Sequence, residues 1–162
     1  YNGVVTANEN VNGKWSQVET QLQRRSDLIP NLVNTVKGYS AHESQVFTDV
    51  ANARARLAGA RNVTEAAQAN GELSGALSRL LAISENYPQL KANTNFIQLQ
   101  DELAGTENRL AVARKDYNDA AQAYNAKIKS FPTVLVARMM GFQERSYFKA
   151  DPQAQKAPQV KF

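Results

Sequence analysis

The chain has 162 residues, of which 43% are hydrophobic and 21% are charged, which suits one domain with a buried core. It has no cysteine, so disulfide bonds, thiolate catalysis and cysteine-ligated metals are excluded. The formal net charge is +4, but most of the excess cations are scattered after residue 131. No basic face lined with aromatic residues is evident, so nucleic-acid binding is not expected. No apolar run approaches the roughly 20 residues that span a bilayer.

The first predicted helix covers about residues 2–26, where apolar side chains recur at helical spacing. Apolar spacing continues past Pro30, whose ring either kinks a helix or begins a new one. Asp27 lies just upstream and is a suitable cap, so we predict a kink or a break at residues 27–30. A second helix is then expected to run to about Ala58, where Gly59 stops it.

The third predicted helix covers about residues 64–85, with Thr64 as its cap, and Pro88 falls in the following loop. The fourth helix has the clearest pattern, because its small and apolar residues alternate spacings of three and four. About 35 residues at 1.5 Å each give a rod of roughly 50 Å, which ends at Phe131 and Pro132. The ten repeating positions are Phe96, Leu99, Leu103, Thr106, Leu110, Ala113, Tyr117, Ala120, Tyr124 and Ile128.

The last part of the chain is expected to begin with a short helix, residues 133–140, which Gly141 stops. The residues beyond are expected to be extended, and residues 151–162 to form a flexible tail. Their aromatic side chains either pack onto the helices or form an exposed apolar patch. These aromatic residues are Phe142, Tyr147, Phe148 and Phe162.

The predicted fold is all-α: an elongated antiparallel bundle of three to four long helices, followed by a short C-terminal helix and an extended tail. Residues 1–150 are expected to form this single domain. The long first and last helices are expected to pair along their length, because neither can bury its apolar stripe alone.

No group of residues in the sequence indicates catalysis. His42 is the only histidine, and one imidazole without a second histidine or paired carboxylates makes a poor metal site or general base. Adjacent acids such as Asp101 and Glu102 point to different sides of a helix. No metalloprotease, serine-hydrolase or phosphate-loop motif occurs. We therefore predict a protein that is not an enzyme and that uses no cofactor and no metal.

Two polar clusters are candidates for binding a partner. In the first, two adjacent arginines upstream of Pro30 can hold an acidic group, or one of them can pair with Asp27 where the helix breaks. In the second, a polar tripeptide follows Thr106, which falls on the apolar stripe and can fix the register of helix packing as a buried polar group. Recognition of a partner is the other interpretation of this second cluster. The candidate residues are Arg24, Arg25, Asp27 and Asn31, with Glu107, Asn108 and Arg109 as a second group.

Many short motifs, in order and at similar spacing, resemble those of the LemA family. In the first half of the chain they are Trp15-Ser16-Gln17-Val18, Gln21-Leu22-Gln23-Arg24-Arg25, Asp27-Leu28-Ile29-Pro30-Asn31-Leu32-Val33 and Val36-Lys37-Gly38-Tyr39. In the second half they are Tyr87-Pro88, Leu90-Lys91-Ala92-Asn93, Glu102-Leu103, Thr106-Glu107-Asn108-Arg109, Ala113-Arg114, Tyr117-Asn118, Tyr124-Asn125, Phe131-Pro132 and Gly141-Phe142. Each motif is weak alone, but together they cover nearly the whole chain. Residues 52–71 carry no such motif, and Ala121 replaces a larger aliphatic residue.

The resemblance implies an α-helical bundle domain that follows a single N-terminal transmembrane helix absent from this chain. It implies a bacterial inner-membrane protein with a cytoplasmic domain, and it implies no catalytic residue. Some relatives are linked to the organisation of internal membranes. We therefore expect a membrane-anchored, non-catalytic helical scaffold that binds a protein partner.

The alternative function is a binding module for a small anionic ligand or a lipid headgroup. It would use Arg24, Arg25 and the basic residues near the C-terminus. The oligomeric state stays open, because an apolar repeat of this kind suits a bundle within one chain and a coiled coil between chains equally well.

Overall fold

The computed structural model describes residues 2–130 and 133–149 as a bundle of helices. Its elements are α1 (Asn2–Lys37), α2 (Ser44–Ala58), α3 (Val63–Ala82), a 3₁₀ turn (Ile83–Asn86), α4 (Pro88–Lys91), α5 (Thr94–Lys129) and α6 (Thr133–Met140). No strand occurs in the described residues, so the predicted all-α class is confirmed. The predicted flexible tail, Phe131, Pro132 and Phe162 lie outside the described residues.

The two longest helices, α1 and α5, have 36 residues each and run antiparallel beside each other. Three neighbouring pairs mark their register: Gly3 with Lys127, Gln21 with Arg109, and Thr35 with Asn95. Each step forward along α1 is matched by an equal step back along α5, so the antiparallel register is the same at both ends of the pair. The predicted pairing of the long first and last helices is therefore confirmed.

Helix α1 continues through Pro30, which lies on its exposed side. A proline inside a helix costs about 3 kcal/mol, but Ile29 and Leu32 are buried on either side of it and hold the helix to the core. Of the two predicted alternatives, the break at residues 27–30 is therefore wrong. Asp27 is not a cap either, because its carboxylate accepts a hydrogen bond from Gln23 Nε2 at 2.7 Å within the same helix.

Several other helix ends differ from the predictions. The expected helix up to Ala58 is divided by a turn at residues 38–43, which begins as the Gly38 amide donates to the Asn34 carbonyl. Tyr39 lies in this turn, and its spacing from the apolar residues of α1 imitates a continuing helix. Gly59 does follow the end of α2, as predicted.

The start of α3 also differs, because its cap is Asn62 and not Thr64. The Asn62 side chain accepts a hydrogen bond from the Glu65 amide at 2.8 Å, which satisfies one of the free donors of the first turn. Pro88 does not lie in a loop but opens α4, where its missing N–H costs nothing.

The core divides into two hydrophobic clusters along the α1–α5 pair. The hairpin of α2 and α3 covers the cluster around Leu32 and Leu80, near the end where α1 stops. Residues from α6 and the segment after it cover the other cluster, around Val11 and Tyr117. All ten predicted repeat positions of α5 are buried, so this helix contributes to both clusters over its whole length.

Candidate functional site

The two adjacent arginines of the first polar cluster have separate environments. Arg25 is only 1% exposed. Its guanidinium donates to Asn70 Oδ1 at 2.6 Å, to the Asn70 carbonyl at 3.3 Å and to Ser74 Oγ at 2.9 Å, which fixes α3 against α1. Arg24 lies on the exposed side of α1. The two guanidinium groups therefore do not form one surface site.

The exposed members of the first predicted cluster lie on a face of α1 that neighbours Arg109 of the second cluster. Arg24, Asp27 and Asn31 are spaced by three and four residues, which places them along one face of α1. Gln21 lies three residues before Arg24 and accepts a hydrogen bond from Arg109 Nε at 3.4 Å. The structure thus brings part of the second cluster beside the first, which sequence spacing alone did not predict.

A shallow groove of about 450 Å³ lies between α1 and α5, and we call it the α1–α5 groove. Its surface is mostly apolar, and Val112 in its wall is 60% exposed. Asn108 and Arg109 border it, whereas Glu107 does not. No residue of α2 or α3 lines it. The full lining is Gln17, Thr20, Gln21, Asn108, Arg109, Val112, Ala113 and Asp116.

A second, more enclosed pocket of about 280 Å³ lies where the connection between α2 and α3 meets α1. Trp15 and Leu57 supply apolar walls, and Glu19, Gln23 and Arg61 supply polar groups. These side chains form no acid–base or nucleophilic pair among the described contacts. His42 is exposed in the turn after α1, and no group of three or more metal-binding side chains occurs in residues 2–130 and 133–149.

The most regular polar arrangement is one that the sequence analysis missed. Residues 142–149, which we call the strap, follow α6 and lie on α5 without regular secondary structure. The strap is held by two Tyr-Asn pairs, Tyr117 with Asn118 and Tyr124 with Asn125, which we call the Tyr–Asn ladder. Both dipeptides were noted as family-like motifs, and their separation of seven residues is the available sequence clue.

Each asparagine of the ladder pairs with a peptide group of the strap. Asn118 Nδ2 donates to the Phe148 carbonyl at 2.9 Å, and its Oδ1 accepts from the Phe148 amide at 2.8 Å. Asn125 makes the same pair with Arg145, at 2.9 Å and 2.7 Å. A side-chain amide has the donor and acceptor of a peptide group, so each asparagine imitates a neighbouring strand.

The two tyrosines extend this pattern. Tyr117 donates its hydroxyl proton to the Ser146 carbonyl at 2.8 Å, and Tyr124 donates to the Gln143 carbonyl at 2.8 Å. Seven helical residues rise about 10.5 Å, and three extended residues span about 10 Å. The repeat of α5 therefore matches an extended strap, and each Tyr-Asn pair meets the strap one step further along.

Two strap side chains add contacts of their own. Phe148 is fully buried, with its ring centre 6.0 Å from that of Trp15. Arg145 Nη1 donates to Asn8 Oδ1 at 3.1 Å and to Asn12 Oδ1 at 2.9 Å, both on α1. Of the two sequence-based alternatives for the C-terminal aromatic residues, packing onto the bundle therefore applies to Phe148, whereas Tyr147 is 40% exposed.

Burial raises the pKa of both ladder phenols, Tyr117 and Tyr124, above the ordinary value of 10.0, and the cation of Arg145 partly offsets this. A group whose pKa is raised on folding stabilises the folded state below its unfolded pKa and loses that contribution as the pH rises through the folded pKa. We expect the free energy of unfolding to fall above about pH 10, where the ionised phenols also stop donating to the strap. Urea unfolding at pH 8 and pH 11 measures this loss, which a Tyr117→Phe/Tyr124→Phe variant should reduce. An equal loss in that variant would contradict the prediction.

The sequence model of the LemA family matches residues 14–162. Magnetosome protein MamQ 2 of Paramagnetospirillum magneticum is 29% identical to this chain over an alignment of 178 positions, which covers 94% of this chain and 65% of the relative. Magnetosome protein MamQ of Magnetospirillum gryphiswaldense is 28% identical with the same coverage. Protein LemA of Metamycoplasma hominis is 23% identical over 136 positions, covering 83% of this chain and 62% of that protein.

These matches agree with the motifs noted in the sequence. The chain spans about 65% of the length of the magnetosome proteins it resembles. Among the described residues, no helix is long and apolar enough to cross a bilayer. Because the family model covers all but the first turns of α1, the chain belongs to the LemA family.

Proposed function

We propose that this chain is a non-catalytic, membrane-anchored helical scaffold that binds an amphipathic helix of a protein partner in the α1–α5 groove. The observation that carries the proposal is the exposure of Val112, 60%, inside a mostly apolar groove with polar borders. An apolar centre with a polar border is the usual anatomy of a surface that a partner covers.

The shape of the groove suits a helix. Two long antiparallel helices leave a channel between them, and a third helix packs into such a channel at an interaxial distance of about 8–10 Å. Amphipathic helices bind such grooves through apolar side chains spaced by three and four residues. Val112 and Ala113 would contact that apolar face.

The borders of the groove can give the interaction its specificity. The hydrogen bond from Arg109 to Gln21 is 3.4 Å long, which is beyond the usual range for a strong bond. The guanidinium can therefore exchange this partner for a carboxylate of the bound helix, which would form a shorter and stronger pair. Arg24, Asp27 and Asn31 extend the polar border along α1, and Asn108 extends it along α5.

Other parts of the proposal rest on the family. Neither the family description nor the names of the similar proteins refers to an enzymatic activity, which supports a non-catalytic role. The resemblance implies a transmembrane anchor and a place at the bacterial inner membrane, with this domain in the cytoplasm. Two of the similar proteins are named for the magnetosome, and by analogy this chain would organise other proteins at a membrane.

Site-specific photo-crosslinking in native membranes tests the scaffold proposal. A photoreactive residue at Val112 in the full-length protein should yield one reproducible adduct, with the crosslinked partner peptide identified by mass spectrometry as helical and apolar on one face. Ile97 is the matched control, because it is a 44% exposed apolar residue on the same helix outside the groove. Adducts of equal yield at both positions, or none at Val112, would overturn the proposal.

The alternative function, binding of an anionic ligand or lipid headgroup, receives less support. It required Arg24 and Arg25 to face one ligand, whereas Arg25 is buried against α3. Flotation with anionic and neutral liposomes distinguishes the two functions. Salt-sensitive flotation with anionic lipid that an Arg24→Ala variant loses would favour this alternative.

A further inference from the structure

We propose that the Tyr–Asn ladder is a binding site for an extended peptide, and that the strap is its intramolecular occupant. The peptide that fits has an arginine followed, three residues later, by an aromatic residue. This site shares no residue with the α1–α5 groove, so the inference goes beyond the proposed function and does not depend on it.

The ladder recognises the main chain of its occupant. All four asparagine hydrogen bonds to Arg145 and Phe148 go to main-chain amides and carbonyls. Both tyrosine hydroxyls also donate to main-chain carbonyls. Proteins that bind peptides by adding a strand use main-chain hydrogen bonds for affinity in the same way. Here, four side chains of α5 take the place of the edge strand.

Selectivity among peptides would come from two side chains of the occupant. The Phe148 ring is fully buried near Trp15, and the Arg145 guanidinium bonds two asparagines of α1. By contrast, Gln143, Glu144 and Ser146 are exposed. The spacing of the two specific contacts defines the Arg-x-x-aromatic pattern, with little restriction at the other positions.

The strap can leave the ladder without unfolding the helices. It is joined to α6 through Gly141, whose φ of 77° is a conformation that glycine adopts freely. The strap adds no helical turn to the bundle, and segments held by a few local contacts open independently of the core. A free peptide would compete with an intramolecular occupant at an effective concentration in about the millimolar range.

Peptide titration of the full chain tests the proposal, and Trp15 is the reporter because it is the only tryptophan. A Phe148→Ala variant weakens the strap, and a synthetic peptide with the sequence of residues 142–149 is then added. We expect a saturable blue shift of the Trp15 emission as the peptide's aromatic ring fills the vacated place. The unmodified chain should need at least about tenfold more peptide, because its own strap competes.

Two altered peptides separate main-chain recognition from side-chain recognition. A peptide with alanine at the positions of Gln143 and Ser146, whose side chains are exposed, should bind within about threefold of the original. The side chains of Glu144 and Tyr147 are kept, because they contact Lys129 and Asn125 of α5. A peptide N-methylated at the amides of the Arg145 and Phe148 positions should bind at least about tenfold more weakly. The side-chain oxygens of Asn125 and Asn118 would then no longer accept hydrogen bonds from these two peptide amides. Equal binding of the N-methylated peptide would overturn the proposal.

Controls on the protein complete the test. Adding Asn118→Ala and Asn125→Ala to the Phe148→Ala variant should abolish the saturable shift, and circular dichroism verifies that each variant keeps its helices. If Phe148→Ala does not fold, hydrogen exchange of the unmodified chain gives the answer, because bound peptide must speed exchange at the strap amides. No saturable shift and no faster exchange, or binding that survives loss of both asparagines, would overturn the proposal.

Discussion

An Arg25→Met variant is expected to unfold with a free energy lower by about 3 kcal/mol than that of the unchanged chain, because breaking a buried, charged hydrogen-bond network carries a cost of this size. Methionine keeps most of the volume of the side chain but cannot donate. The Asn70 side-chain oxygen and the Ser74 hydroxyl would then lose the guanidinium that now lies 2.6 Å and 2.9 Å away.

Two further variants isolate the cause of this loss. Arg24→Met changes the exposed neighbour and should alter the free energy of unfolding by less than about 0.5 kcal/mol. Adding Asn70→Leu to Arg25→Met should recover part of the loss, because replacing both partners of a buried pair by apolar groups is often close to neutral. Urea unfolding followed by circular dichroism measures all three. A loss below about 1 kcal/mol for Arg25→Met would mean that the network adds little stability.

An Asn118→Ala/Asn125→Ala variant is expected to release the strap while the helices stay folded. Four hydrogen bonds of about 1 kcal/mol each correspond to roughly a thousandfold change in the docking equilibrium. Hydrogen exchange at the amides of Arg145 and Phe148 should therefore become at least about 100-fold faster, because both amides now donate to the mutated side chains.

The matched control for this variant is Asn108→Ala, which removes an exposed asparagine from the same helix at a position outside the ladder. It should leave exchange in the strap unchanged. Fast exchange in both variants would show that the strap is already loosely held. Slow exchange in both would show that Phe148, and not the ladder, is what holds it.

The sequence predicted the packing of α5 well, because its repeat is long and every position of the repeat is small, apolar or aromatic, apart from Thr106. Thr106 itself is buried. Its hydroxyl donates to the Glu102 carbonyl at 2.9 Å, and this local hydrogen bond satisfies the buried polar group. A break at Pro30 was one of the two predicted alternatives, because local backbone chemistry opposes the helix there. Tertiary packing of the neighbouring apolar residues outweighs it.

The candidate site was harder to predict, for two physical reasons. Arginine is rarely buried, so Arg25 was predicted to bind a partner or to pair with Asp27, although it continues the stripe of Leu22 and Ile29 at helical spacing. Asparagine next to tyrosine looks like ordinary helix surface, and its pairing with the strap depends on contacts between residues 20 to 30 positions apart. Only the fold brings such distant residues together.

The constant register of α1 and α5 fixes the distance between the two ends of the helix pair. Thirty-six residues in a helix rise about 54 Å, and the chain enters this pair at Asn2 and leaves it at Lys129, at the same end. The turn at residues 38–43 and α4 therefore lie at the opposite tip. A molecule held at the first turn of α1 would keep this tip at a set distance from its point of attachment, so the paired helices would serve as a spacer of defined reach.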